Sequence, residues 1–425
     1  MSSNVLPLAL ASPPPALRAM LLLRLLYLGP GAMSNGMLAI ALPWILVGAT
    51  STAAAMGLLT GGWVAAAVAG AWLGRSVARR WGARVASSAL SLLSVLMFGL
   101  ASLAWLVWDA GAWAYAAVIL ASACDAGSDL VVQTRWPLLA RLVRQPLARV
   151  LGANWLWTIG GTVLGALLAG WAMEQQALWA VAAVIAICGA VGAAALRCVL
   201  PHDRRLLTPP RAAWQEMLAI GLLLRRRRLL AGVLGALLLA ALALGPIDQL
   251  FVPILVARAK LGADFLGLLS ATAALGAALG LGLSHQARLE RLPVAVLAVG
   301  TGAVAGYLLL WWAAPAAPGL LVGTFVVSLL ATPMLPLLEA IFVRGMPPGL
   351  RPTFMAAMVA GLGLADALGG VLLGRLFDLL GPALVLLALA VLCAAAALGL
   401  ASGGARLLAA LERALGTARN DPGQA

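Results

Sequence analysis

Apolar stretches about as long as the 20 residues a helix needs to cross the roughly 30 Å hydrocarbon core of a bilayer fill this chain from residue 19 to residue 402. Segments of that length are predicted at 19–48, 54–76, 84–108, 112–134, 149–172, 177–199, 229–256, 264–284, 293–313, 319–343, 353–377 and 382–402. Hydrocarbon offers no water to backbone N–H and C=O groups, so each segment must satisfy its own and fold as a helix. The expected fold class is therefore an all-α polytopic membrane protein with twelve transmembrane helices. Only 10% of the residues are charged and 63% are hydrophobic. A soluble domain carries about 25% charged residues as its coat, so lipid must cover most of this surface.

The formal charge of +14 raises the question of nucleic acid, and the placement of the arginines answers it. Arg75, Arg79, Arg80 and Arg84 form one cluster, Arg135, Arg141, Arg144 and Arg149 a second, and Arg204, Arg205, Arg211 and Arg225 to Arg228 a third. The intervening connections, such as Gly48 to Thr52, Asp109 to Gly111, Met173 to Gln176 and Ala313 to Pro318, carry no Lys or Arg. Alternation from one connection to the next is the pattern of positive loops retained in the cytoplasm; it places both termini there and leaves no nucleic-acid surface. Arg258 and Lys260 break the pattern. Residues Val5 to Ala11 are apolar, but no basic residue precedes them and three prolines follow, unlike a secretory signal.

The connections are short except for Pro201 to Arg228, which holds an amphipathic piece from Trp214 to Leu224. The expected organisation is a cytoplasmic tail at 1–18, a six-helix bundle at 19–200, a cytoplasmic linker at 201–228, a second six-helix bundle at 229–402 and a cytoplasmic tail at 403–425. Shifting the second half back by 210 positions aligns Pro43 with Pro253, Gly57-Leu58-Leu59 with Gly267-Leu268-Leu269, Gly70 with Gly280 and Gly160 with Gly370. Asp129 also aligns with Glu339, a pairing of weight because only 14 of 425 residues are acidic.

The stretch Ala41 to Leu59 (ALPWILVGATSTAAAMGLL) resembles the first helix, and its turn into the second, of the enterobactin and macrolide exporter-like branch of the major facilitator superfamily. Gly74 to Arg84 (GRSVARRWGAR) is similar to the superfamily's loop between helices two and three, although the usual acidic position is Ala78. Gly165 to Gly170 only partly matches the kink motif of exporters. The resemblance implies two parallel six-helix bundles in the bacterial inner (plasma) membrane, with Gly74, Arg79, Arg80, Gly82 and Arg84 forming a gating loop. It further implies that the first and fourth helices of each half line a central cavity. Arg24, Asn35, Asp125, Asp129, Gln133 and Glu339 are then the residues expected along the substrate and proton pathway, with Asp248 and Gln249 on the seventh helix.

Each intramembrane charge costs about 2.5–3.5 kcal/mol at a helix centre and needs a partner or water. Arg24 and Asp129 each lie six residues from a flanking arginine, about 9 Å deep, so they share a level. Asp125 and Asp129 are i and i+4 on one helical face, Asp125 about 15 Å deep. An Arg24–Asp129 pair is one expectation, leaving Asp125 as proton carrier or contact for a cationic substrate. Snorkelling of Arg24 to headgroups, and a structural role for Asp129 and Glu339 against loop arginines, are the alternatives.

The histidines, His202 and His285, both fall in predicted loops, so no His-based metal site or Ser-His dyad forms within the membrane. The four cysteines show no close pair, and no phosphate-binding Gly-Lys-Ser/Thr motif occurs. An enzyme, a cofactor and a metal are therefore not expected. The expected function is secondary active transport of a small amphipathic molecule by a monomer in the lipid bilayer, coupled to protons and directed outward, with a drug- or siderophore-like substrate. Uptake of a metabolite or lysolipid, and a non-transporting receptor, are the other readings.

Overall fold

The computed structural model describes residues 15–49, 52–107, 111–133, 135–144, 147–200, 213–226, 228–284, 293–313, 316–334, 337–338 and 351–416. The first crossing is assembled from α1 (Pro15–Leu23), a single π-helical turn (Arg24–Leu28) and α2 (Gly29–Ala49). The first half continues with α3 (Ala53–Trp81), α4 (Ala83–Val107), α5 (Gly111–Gln133), the short α6 (Trp136–Leu142), α7 (Leu147–Glu174) and α8 (Leu178–Val199). After α9 (Ala213–Arg226) the second half begins with α10 (Arg228–Leu244), which stops at Gly245-Pro246, where proline removes a backbone donor. A second π turn (Ile247–Phe251) leads into α11 (Val252–Arg258), followed by α12 (Ala263–Ser284), α13 (Pro293–Trp312), α14 (Ala317–Ala331), α15 (Arg351–Leu380) and α16 (Pro382–Gly416).

Eleven of the described helices are long and apolar enough to cross a membrane. At the remaining predicted position stands α14, a shorter apolar helix of 15 residues, and the end of that predicted segment, Glu339 included, lies outside the described residues. The chain is a multi-pass membrane protein. Helix α16 runs past the predicted end at 402 to Gly416, because helical propensity continues through Ala405 to Ala414 after the apolar run is spent. In the 201–228 region, α9 lays Ile220 against Leu230, Phe354 and Met358, so this amphipathic piece is anchored to the second half by its apolar stripe.

Helix packing repeats between the halves. In the first half α2 packs on α7, α3 on α5, and α4 on both α5 and α8. In the second, α10 packs on α15, α12 on α14, and α13 on both α14 and α16, the same scheme six crossings later. The glycines matched at a shift of 210 occupy equivalent places: a Cβ on Gly70 would strike the Ala123 carbonyl on α5, and one on Gly280 the Leu329 carbonyl on α14. Lipid tails are as apolar as leucine, so helices in a bilayer are held by close packing, and glycine permits the closest approach.

Among the described residues, the most extensive meetings of the halves are α3 with α15 and α7 with α12. Gly57 and Gly61 of α3 lie against Gly370 and Ala367 of α15, and Gly374 against Ala53; Gly267 of α12 lies against Ala166 and Gly170 of α7. Gly57 and its repeat mate Gly267 thus serve the two related seams. Both seams begin at the ends that face the arginine-poor connections. A single apolar cluster fills that region from both sides, with Leu42, Leu46, Ala53 and Met56 from the first half and Phe251, Val256, Leu373 and Phe377 from the second. Phe251 and Phe377 stack at 4.7 Å, and the Arg258 guanidinium lies 5.6 Å from the Phe377 ring centre. Trp311 belongs to this buried set, 5% exposed and edge-on to Tyr307, whereas Trp113 and Trp312 are exposed.

Candidate functional site

Two polar features stand out against this apolar frame. The first is a chamber of about 30 Å³ walled by Tyr27 of the first π turn, Ser34 of α2, Ser91 and Ser94 of α4, Asp125 and Asp129 of α5, and Cys188 of α8. Every wall comes from the first half. Asp125 and Asp129 share a face as their spacing requires, and that face lines this chamber. The carboxylates are therefore brought together in one chamber.

Their partners differ from expectation. Arg24 does not pair with Asp129: its Nε donates to Asn154 Oδ1 at 2.7 Å and its Nη2 to the Val150 carbonyl at 3.0 Å, both on α7. The π turn that starts at Arg24 is the physical reason, since the extra residue per turn lets Arg24 face α7 while Tyr27 faces α5. Arg24 is buried at 7% exposure, so it does not snorkel. Asp129 instead accepts a 2.5 Å hydrogen bond from the Tyr27 hydroxyl. Ser91 and Ser128 Oγ lie 2.9 Å apart, and Ser128 donates onward to the Ser87 carbonyl. Among the described residues, Asp125 accepts no hydrogen bond and Ser94 Oγ makes none.

Tyr27, Ser34, Ser91, Ser94 and Ser128 were not singled out from the sequence. A serine every three or four residues along α4 (Ser87, Ser91, Ser94) was the available signal, because such spacing puts hydroxyls on one face. Of the other expected pathway residues, Asn35 and Gln133 are exposed and outside the chamber. Asp248 lies in the second π turn, and Asp366 of α15 sits against Gly245 at the break after α10, a contact between helices.

The second feature is a bridge between the halves at the arginine-poor end. Asp378 of α15 accepts from the backbone N–H of Ala53 through Oδ1 at 2.9 Å and of Ala54 through Oδ2 at 2.8 Å. Thr52 Oγ1 takes the Ala55 N–H at 3.2 Å. The first amides of a helix have no partner within it, and the helix dipole favours an anion there; a carboxylate from the opposite half supplies both needs.

The residues expected in a gating loop have distinct local settings. Gly74 is a packing residue whose Cβ would strike the Gly127 carbonyl on α5. Gly82 closes α3 with φ 83°, a conformation that glycine adopts without strain. Arg80 is exposed and Arg84 half-buried at the start of α4; nothing is described for the Arg79 side chain. Ala78, at the position where a latch carboxylate was sought, is buried with Ala83, Ala86 and Val131. An acidic side chain there would enter an apolar cluster.

No protein-family model matches the chain, and no curated protein matches its sequence. Solved structures do match over nearly its whole length. The nucleoside transporter NupG superposes with a TM-score of 0.71 at 13% identity, covering 90% of this chain and 98% of that one. A D-xylose-proton symporter gives 0.68 at 15% identity, with coverage of 90% and 96%. A structure of a proton-dependent oligopeptide transporter gives 0.71 at 12% identity, with coverage of 94% and 100%. At such identities the likeness defines the fold, which is the major facilitator fold. Within that class the similarity of residues 41–59 to one exporter branch rests on sequence alone.

Proposed function

We propose that this chain is a secondary active transporter that moves a small amphipathic molecule by alternating access, coupled to protons and directed out of a bacterial cell across the inner membrane. The observation that carries this reading is the combination of two equivalent bundles, joined along glycine-rich seams, with a carboxylate chamber inside one of them. Glycine crossings let one bundle rock on the other as rigid bodies, which is how folds of this class expose a site to one side at a time. Asp125, which accepts no hydrogen bond among the described residues, is the proton carrier, and Asp129 beside it is held by Tyr27.

Orientation follows from the arginines. With the arginine-rich connections taken as cytoplasmic, the apolar cluster and the Asp378 bridge stand at the outer side. A largely apolar groove of about 440 Å³, lined by residues including Leu25, Met33, Trp157, Leu164 and Cys188, lies beside the chamber and is of a size that suits a drug-sized amphipath. The branch resemblance supports efflux of a drug- or siderophore-like compound. A deletion strain screened for toxin sensitivity and retained metabolites identifies the substrate class. Proteoliposomes with an imposed pH gradient then test coupling: uphill movement of the identified compound in the wild type, lost in Asp125→Asn, is expected, and unchanged uphill movement by that variant refutes the proton role.

A further inference from the structure

Two carboxylates on adjacent turns of α5 stand deep in a bilayer-spanning bundle with, among the described residues, no basic side chain bonded to either. The titratable groups that face the chamber are Asp125 and Asp129 from α5, Tyr27 from the π turn and Cys188 from α8; the polar residues that α4 contributes are Ser91 and Ser94. Arg24, the nearest cation on the first crossing, is committed to Asn154 and Val150. Charge balance in a low-dielectric site then calls for a cation or protons.

The unoccupied bonding capacity points the same way. Ser94 is 4% exposed, lines the chamber, and its hydroxyl has no hydrogen-bond partner among the described residues. A serine so deep in a helix ordinarily bonds a carbonyl of its own preceding turn, as Ser88 does to Arg84. Ser94 is instead open toward the space that the Asp125 carboxylate also faces. Oxygen atoms dominate the polar lining, the preference of a hard cation.

Volume selects among cations. A chamber of about 30 Å³ has room for something the size of one water molecule. Organic cations are excluded by size. Calcium needs about 6–8 oxygens, more than Asp125, Ser94, Ser91 and the free Asp129 oxygen provide. Magnesium retains several waters, for which there is no space. A dehydrated monovalent ion fits.

We propose that the Asp125–Ser94–Asp129 chamber is a binding site for one monovalent cation at which sodium and the proton compete, set apart from the path of the transported molecule. This deepens the transporter reading by naming the ions the same carboxylates take and where they are held. Sodium binding displaces the proton from Asp125 to solvent, so charge is conserved at the site.

The test uses the full-length purified protein in detergent and needs no transport, so its failure leaves the carrier reading standing and failed flux leaves this result intact. Thermal stability is followed against sodium, potassium and choline chloride at equal ionic strength from pH 5 to pH 9, and proton release on sodium addition is read with an indicator dye. Sodium-specific stabilisation that strengthens with rising pH, with protons released on binding, is expected. Asp125→Asn should abolish both responses, while Ser94→Ala, which keeps the helix and the carboxylates, should weaken apparent sodium affinity about tenfold. Equal responses to the three salts, a proton titration that sodium does not affect, or a sodium response that survives Asp125→Asn overturns the proposal.

Discussion

Replacing Asp378 by alanine should shift the protein toward the form open at the arginine-poor end. The carboxylate holds two backbone amides of the opposite half at 2.9 and 2.8 Å, and nothing on its own helix requires it. Hydrogen bonds to a charged group are worth about 1.5–3 kcal/mol each when buried. Asp378 is exposed, so water takes over the freed amides and the loss falls to the scale of a helix cap, about 1 kcal/mol, plus about 0.5 kcal/mol from the helix dipole. A total near 1.5 kcal/mol changes the ratio of the two forms about tenfold. A population of about 1% open at that end would rise to about 10%, within reach of pulsed electron paramagnetic resonance. Spin labels at Gly48 and Ala259, both exposed at that end on opposite halves, report the opening once the four native cysteines are replaced. A second, longer distance peak should grow in Asp378→Ala and less so in Asp378→Asn, which keeps one acceptor oxygen. An unchanged distance distribution in both variants would refute the idea that this bridge holds the end shut.

Other consequences are as direct. Gly57→Ala places a methyl group against the Gly370 carbonyl and should cost about 1–3 kcal/mol of the closed form, read as loss of the short-distance population with the same labels. Tyr27→Phe removes the hydroxyl that Asp129 accepts and should lower stability by about 1.5–3 kcal/mol, measured by denaturant unfolding in mild detergent. Arg24→Ala and Asp129→Asn should be additive to within about 0.5 kcal/mol in a double-mutant cycle, because each is bonded to a different neighbour; coupling above about 1 kcal/mol would show that they pair after all. Ala78→Asp, which restores the acidic character of the family loop, should destabilise the protein rather than create a latch, since Ala78 is buried among alanines and a valine.

What the sequence discloses here follows from which properties are one-dimensional. Span length, arginine alternation and the 210-residue shift are written along the chain, and the related seams at Gly57 and Gly267 show that the repeat is structural. That Asp125 and Asp129 share a face is equally local, since it follows from 3.6 residues per turn. Which residues the face meets is not local: it depends on how α5 is rotated against α4 and α8, which brings Ser91, Ser94 and Cys188 to the carboxylates. The Arg24–Asp129 pairing failed for a related reason, because equal depth cannot reveal a π turn that directs Arg24 to Asn154. Asp378 went unnoticed because a carboxylate near a helix end reads as an ordinary solvated residue until the Ala53 amides are seen beside it.

The measurement that bears most directly on the account as a whole is proton movement during turnover, recorded with a pH-sensitive dye sealed inside proteoliposomes as the identified substrate is added. Wild-type protein should move protons opposite to the substrate at a fixed ratio, and Asp125→Asn should carry substrate only down its own gradient with no proton signal. Substrate accumulation against its gradient by wild type and Asp125→Asn alike, with no proton signal in either, would contradict an ion site in the first bundle as the source of driving force.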